Sequence, residues 1–234
     1  MKPTKLFLSC EHAVDIIPPA YKHLFHANES VLQTHRAIDF GALEIATHLK
    51  QAFACECPTA TVSRILIDCN RSINNKSCFS EFTTPLSDVE KQQLIDEYYL
   101  PYRHRCEALI NDHINHGHQV LHLSIHSFTP VFNGIKRNAG IGLLYDPRRH
   151  GEKEVARELG GLLSHEKPAY RVRMNYPYKG ASDGFTTALR KKHPESDYIG
   201  IEVETNQALA KNKETREPVA LMLEHSIREL LLLL

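Results

Sequence analysis

Along "LHLSIHSFTP", Leu121, Leu123 and Ile125 alternate with His122, Ser124 and His126. The period-2 spacing predicts a strand with one apolar face and one face carrying two histidines. Apolar runs over Lys5 to Cys10, Thr61 to Asn70, Gly140 to Asp146, Tyr170 to Asn175 and Tyr198 to Glu204 predict five more strands. Between them the pattern predicts helices over Asp39 to Phe53, from Ser87 towards Asn115, over Glu152 to Ser164 and over Glu217 to Leu234. Ser87 and Glu90 have capping-box spacing, and Pro101 predicts a kink or break in the helix they open. Strands separated by helices predict an α/β fold with a mostly parallel central sheet flanked by helices. The connections over residues 72–85 and 176–183 are rich in Asn, Ser, Gly and Pro. No repeat, low-complexity stretch or linker divides the chain, so residues 1–234 read as a single domain.

Composition narrows the partners. The 234 residues hold 28 Lys plus Arg against 28 Asp plus Glu, so no net field draws the chain to nucleic acid or anionic lipid. The basic cluster Arg190 to Lys192 is too short to change this. The amino-terminal apolar run is too short for a signal peptide, and the terminal Leu230 to Leu234 run falls well short of the roughly 20 apolar residues a bilayer needs. That run reads as the end of an amphipathic helix, a packing or dimer surface. The six cysteines form no CxxC pair, and Cys10 and Cys69 sit in apolar runs, which predicts reduced, buried thiols in a cytoplasmic protein. Oligomeric state is left open.

Fifteen histidines are many for this length. In open α/β sheets ligands bind beyond the carboxyl ends of the strands. The predicted strands end at Glu11 and His12, at Asp68, Asn70 and Arg71, at His126, at Tyr145 and Asp146, at Asn175, and at Glu202 and Glu204. Two histidines, several carboxylates and an arginine form the inventory of a metal-assisted hydrolase. His12 and His126 end neighbouring strands and can converge on one ion. His122, deeper on the same face, reads as a packing neighbour.

The motifs "SCEHA", "HRAIDFGA", "SRILIDCNR", "HSFTP", "NYPYKGASDG" and "EVETNQAL", spread in this order from Ser9 to Leu209, resemble the N-formylglutamate amidohydrolase family. That family is similar in fold to the zinc carboxypeptidases and aspartoacylase, so the resemblance implies a zinc-exopeptidase-like (phosphorylase/hydrolase-like) architecture. It implies Zn2+ or another divalent metal as cofactor and a small N-acyl amino acid as substrate. The Asp-x-Asn-Arg of Asp68 to Arg71 looks like the stretch with which aspartoacylase-type enzymes hold a substrate carboxylate. One feature departs from those relatives: where they carry His-x-x-Glu, His12 is followed by Asp15. The resemblance points to Asp39 as the carboxylate ligand beside His12 and His126, with Asp15 and Glu11 as rivals.

The individual residues fit that chemistry. Glu204 matches the family's Glu-x-x-Gln and is expected to be the general base, while Glu202, one step deeper, is expected to pair with an arginine. Arg71 offers a planar fork for a substrate α-carboxylate, with Asn70 beside it. Asp68 is expected to orient Arg71 or Asn70. Arg64 either polarises the scissile carbonyl or pairs with Glu202. Tyr178, Gly180 and Asp183 are expected to line or cover the substrate, and Lys136, Arg137 and Lys179 are loop candidates for gripping an acidic side chain. The implied activity is removal of an N-formyl or other N-acyl group from an acidic amino acid. The alternatives are other N-acyl amino acids, small peptides, or a non-catalytic relative that binds a metal or ligand; Glu204 beside both histidines argues against the last.

Overall fold

The computed structural model describes residues 2–167 and 169–234. Among the described residues seven strands and seven α-helices follow in chain order: β1 (Thr4–Ser9), α1 (Ala42–Phe53), α2 (Asp88–Leu94), α3 (Leu100–Asn115), β2 (Gln119–Phe128), β3 (Val131–Phe132), β4 (Ile135–Lys136), β5 (Ile141–Leu144), α4 (His150–Glu166), β6 (Val172–Met174), α5 (Phe185–Lys192), β7 (Tyr198–Asn206), α6 (Gln207–Ala210) and α7 (Lys213–Leu233). The central sheet has the order β1-β2-β7-β5-β6. Its pairs are parallel except β5 against β7, and β3 with β4 makes a separate hairpin.

Helices cover both faces. Leu6, Leu8, Leu121, Leu123, Ile125, Ile199, Ile201 and Val203 point to one side and pack against α1, α4 and α7. On the other side Phe7, Val120 and Tyr198 meet α2, α3, α5 and a 3-10 segment over Pro19–Gln33. Both sheet faces are therefore dry, which is why β2 is buried along nearly its whole length although half its side chains are polar. Polar groups on such a strand need partners inside the protein.

Several expectations hold at the level of elements. The Ser87–Glu90 capping box is formed in both directions. Near Pro101 the helix does not simply kink: Ile95–Tyr99 form a π turn between α2 and α3. The wider turn accommodates a ring that would otherwise clash with the carbonyl four residues back, at Glu97. The closing helix starts at Lys213 and carries Pro218 inside it, burying Leu230 while Leu232 and Leu233 face outward. Arg190, in the short basic cluster, is buried and paired with Glu152 at 2.9 Å. No helix among the described residues is long and apolar enough to cross a membrane.

The strand expected over Thr61 to Asn70 is absent. Thr59 makes one bridge to Cys10, after which the chain turns: Leu66 N–H donates to the Ser63 carbonyl at 2.9 Å and Asp68 N–H to that of Cys78 at 2.8 Å. Ile65, Leu66 and Ile67 are all buried. The apolar run marks a coil tucked beneath the sheet, with its backbone groups satisfied by turns instead of a ladder. The 3-10 segment, α5 and the β3–β4 hairpin have no counterpart among the predicted elements.

Candidate active site

Cross-strand register builds the floor of the site. On one face of the sheet Phe7, His122 and Gly200 stand in a row, followed by Ser9, Ser124 and Glu202, and then by His126 and Glu204. His122 lies between the Ser9 hydroxyl and the Tyr198 hydroxyl, 2.7 Å from each. Gly200 makes this possible, because a Cβ there would come within 2.7 Å of the Tyr198 hydroxyl. Burial pushes the His122 pKa down to about 4, so the ring is a neutral structural group, as the sequence suggested.

At the carboxyl ends of β1 and β2 the character changes. His12 follows β1, His126 lies two residues before the end of β2, and Asp39 sits just ahead of α1. All three are buried, and one ligand atom from each lies within 4.8 Å of the others. Asp39 Oδ2 is 3.3 Å from His12 Nδ1 and 3.0 Å from His126 Nδ1, and it accepts the Ser127 N–H at 3.2 Å. The backbone fixes the arrangement, since Asp39 N–H donates to the His12 carbonyl at 3.1 Å.

Each histidine is held from behind by a second carboxylate. His12 Nε2 meets Asp68 Oδ1 at 2.8 Å, and His126 Nε2 meets Glu11 Oε2 at 3.1 Å. Glu11 is anchored in turn by Ser9, Tyr102 and Ser124 at 2.6–2.7 Å. A carboxylate behind the ring nitrogen that faces away from an ion fixes a ligand histidine's orientation and raises its basicity. Glu11 therefore backs His126 and is no alternative to Asp39, and Asp15 is exposed outside the group.

Electrostatics favour a cation here. Burial alone would raise the pKa of Asp39, Glu11 and Asp68. For Asp39 this is overcome by His12, His126 and Arg64, for Glu11 by His126, His122 and Ser124, and for Asp68 by His12, Arg64 and Arg71, which hold all three well below the usual carboxylate range. Glu204 behaves oppositely: burial pushes it up to about 8 against the pull of His126, with Asp39 and Glu202 adding to the rise. Its Oε2 is buried with no hydrogen-bond partner among the described residues. Buried acids in excess, an orphaned carboxylate oxygen and two imidazoles with an aspartate suit a divalent metal of the zinc type.

The rest of the expected site surrounds a cavity of about 600 Å³ that reaches from this cluster to Arg64, Asn70, Arg71, Tyr178, Asp183, Glu202 and Glu204. Their connections differ from expectation in several places. Asp68 does not hold the Arg71 side chain; it bonds His12, the Asn70 N–H and Arg64, the last at 3.1 Å. Arg64 pairs with Asp39 and Asp68 and not with Glu202. Glu202 accepts from the Thr186 hydroxyl at 2.7 Å and has no arginine partner among the described residues. Asn70 Oδ1 accepts the Phe185 N–H at 2.7 Å. Asp183 braces the Ser72–Asn75 turn. Tyr178 is exposed at the mouth, with the Arg137 guanidinium over its ring. Of the loop cations Lys179 lines the cavity, whereas Lys136 lies exposed on β4.

Tyr145, Asp146 and Asn175 do not join the site. β5 runs antiparallel to β7 and β6 runs with β5, so their carboxyl ends lie at the opposite edge of the sheet. There Asp146 pairs with Arg148, and Asn175 accepts from the Tyr145 and Gly180 N–H groups. Glu11 and Asp68 were both singled out from the sequence, but their bonds to His126 and His12 were not, and Thr186 on Glu202 was missed altogether. Alternation along β1 was the available signal for Glu11, placing it two residues beyond Ser9 on the histidine face.

The fold and site define an α/β domain with an acid–base cluster able to hold a metal at the carboxyl edge of its parallel strands. The N-formylglutamate amidohydrolase family model matches residues 4–210, and the chain belongs to that family. Membership supports hydrolysis of an amide bond. Among solved structures, the chain is similar to gene product Atu2144 from Agrobacterium tumefaciens, with 29% identity, 97% of this chain and 90% of that chain covered, and a TM-score of 0.83. It shares its fold with N-formylglutamate amidohydrolase from Ralstonia eutropha JMP134, at 18% identity, 98% and 93% coverage and a TM-score of 0.67. A comparison with curated proteins finds no match.

Proposed function

We propose that this chain is a zinc-dependent amidohydrolase that removes an N-formyl group from an acidic amino acid such as N-formylglutamate, acting as a single catalytic domain over residues 1–234. The observation that carries the proposal is the buried oxygen of Glu204, without a hydrogen-bond partner among the described residues, beside the His12–Asp39–His126 triplet. Those three residues would hold the metal. When bound, it supplies a Lewis acid that polarises the amide carbonyl and acidifies water.

Glu204, whose pKa is raised by burial and would be lowered again by a cation held beside it, takes the proton from the attacking water and returns it to the departing amine. Arg64, fixed by Asp39 and Asp68, faces the cavity where negative charge develops on the carbonyl oxygen. Arg71 has no carboxylate partner among the described residues and lines the same cavity; with Nη1 held by the Asp183 carbonyl, the rest of its guanidinium is available for the substrate α-carboxylate. With Asn70 Oδ1 engaged by Phe185, the Asn70 amide NH2 is left to donate to the same group. Asp68 keeps His12 and Arg64 in place, Asp183 braces the loop beside Arg71, and Tyr178 stands at the entrance. Six free thiols support a cytoplasmic setting.

A cavity of about 600 Å³ is also large enough for drug-sized ligands, which favours keeping longer N-acyl amino acids or small peptides as a second reading. The test is a panel of N-formyl and N-acetyl amino acids assayed with metal-loaded and chelated protein. Hydrolysis of N-formyl-L-glutamate, lost on chelation and restored by zinc, is the expected result. Full turnover in chelator would overturn the metal role, and preference for an N-acetyl substrate would move the activity to the second reading.

A further inference from the structure

Arg103 is an anomaly in the hydrophobic layer between α3 and the sheet. It is buried with no carboxylate partner among the described residues, an arrangement rare for arginine. Its guanidinium lies 4.5 Å from the Phe185 ring centre and 5.0 Å from that of Tyr99, and stacking of this kind offsets part of the cost of leaving water. Nη1 donates to the Arg71 carbonyl at 2.8 Å and to the Tyr99 hydroxyl at 2.6 Å. That hydroxyl itself donates to the same carbonyl at 2.7 Å. Two buried donors thus converge on one backbone oxygen, that of the residue whose side chain enters the cavity.

The neighbours complete the clamp. Asn70 is tied to the start of α5 through Phe185, and Arg71 Nη1 donates to the Asp183 carbonyl at 2.6 Å. Residues 70–71 lie in a turn with no sheet ladder to fix them, so these contacts set the direction of the Arg71 fork. The π turn ending at Tyr99 supplies the geometry. Its extra residue shifts the helical register at Leu100, whose N–H donates to Ile95, and thereby sets which face of α3 presents Tyr99 and Arg103. Such turns recur at functional sites.

We propose that Arg103 and Tyr99 are positioning residues that aim Arg71 at a carboxylate of the substrate. This rests on the reading of Arg71 as the carboxylate grip. The two can be told apart by steady-state kinetics on N-formyl-L-glutamate and its 1-amide, taking the ratio of kcat/KM values as the acid preference. If Arg71 is the grip, Arg71→Lys should lower that preference by about 30-fold or more. Arg103→Met should lower it by about 10-fold through KM for the acid, with kcat on the amide nearly unchanged, and Arg103→Lys should recover part of the loss. Tyr99→Phe keeps the ring and the stacking but removes the hydroxyl, and should lower the preference by about 3- to 10-fold, the scale of one or two hydrogen bonds.

Loss of preference in Arg71→Lys with wild-type preference in both Arg103→Met and Tyr99→Phe would overturn the positioning role and leave the grip standing. Unchanged preference in Arg71→Lys would overturn the grip itself. If Arg103→Met does not fold, Tyr99→Phe and Arg103→Lys carry the test. Should the wild type turn over neither probe, the same ratio is read from calorimetric affinities.

Discussion

His122 and His126 stand on one face of one strand, four residues apart and equally buried, yet they occupy different chemistry. The floor around His122 offers only hydroxyls, from Ser9 and Tyr198, and burial leaves the ring neutral. The rim around His126 offers carboxylates. Burial would lower the His126 pKa, but Asp39 and Glu11 together raise it well above the ordinary value. A ring held between two acids suits a cation, whether a proton or a metal shared with His12. What separates structure from function here is Glu11, two residues beyond Ser9 on the β1 side, together with Asp39 from the turn ahead of α1.

The largest effect should come from the rim. Glu204→Gln keeps shape and removes the proton acceptor, so kcat should fall by about 100- to 10,000-fold, the range of general acid–base contributions, with metal content unchanged. Glu202→Gln, bonded to Thr186, should cost much less. If instead the Glu202 variant is inactive with metal bound and the Glu204 variant works, the two roles must be exchanged.

The floor should show itself in stability. With a pKa of about 4 in the fold against an ordinary 6.5, His122 stays neutral while the unfolded chain takes up its proton. Its contribution is complete above pH 6.5 and drains as pH falls towards 4, amounting to about 3 kcal/mol. In denaturant titrations of metal-free protein, wild type should lose about 3 kcal/mol more stability than His122→Gln as pH falls from 6.5 to 4. Parallel curves would mean that the ring is not held neutral.

Glu11→Gln probes the boundary between the two regions. Loss of the carboxylate behind His126 should weaken metal binding by about 10- to 100-fold, measured by competition with a chromophoric chelator. The smallest change is expected for Tyr198→Phe, a loss of about 1 kcal/mol in stability with metal affinity intact. A Tyr198→Phe protein that loses metal would erase the distinction between floor and rim.

Much of the rim was legible because β1, β2 and β7 are regular alternating strands, and alternation states which side chains share a face. That is how His126 and Glu204 could be placed on one face before any coordinates, while His12 was added from its position at the end of β1. Strand direction is not encoded in alternation, and so Tyr145, Asp146 and Asn175 were assigned to the wrong edge. The segment around Arg64 and Asp68 was misread because buried turns and buried strands are both apolar; only the turn bonds at Ser63 and Cys78 distinguish them. Of the partners expected for Asp68, Asn70 is bonded through its N–H and the Arg71 side chain is not, and Glu202 meets Thr186 from α5 instead of an arginine, because the neighbours that irregular connections bring in follow no spacing rule.

Metal content of purified wild type, His126→Asn and His122→Gln, measured by mass spectrometry after equal zinc loading and desalting, tests the central claim most directly. The account predicts about one zinc per chain in the wild type and the His122 variant, and loss of that zinc from the folded His126 variant. Zinc retained at the wild-type level by His126→Asn, or lost equally from both variants, would contradict it.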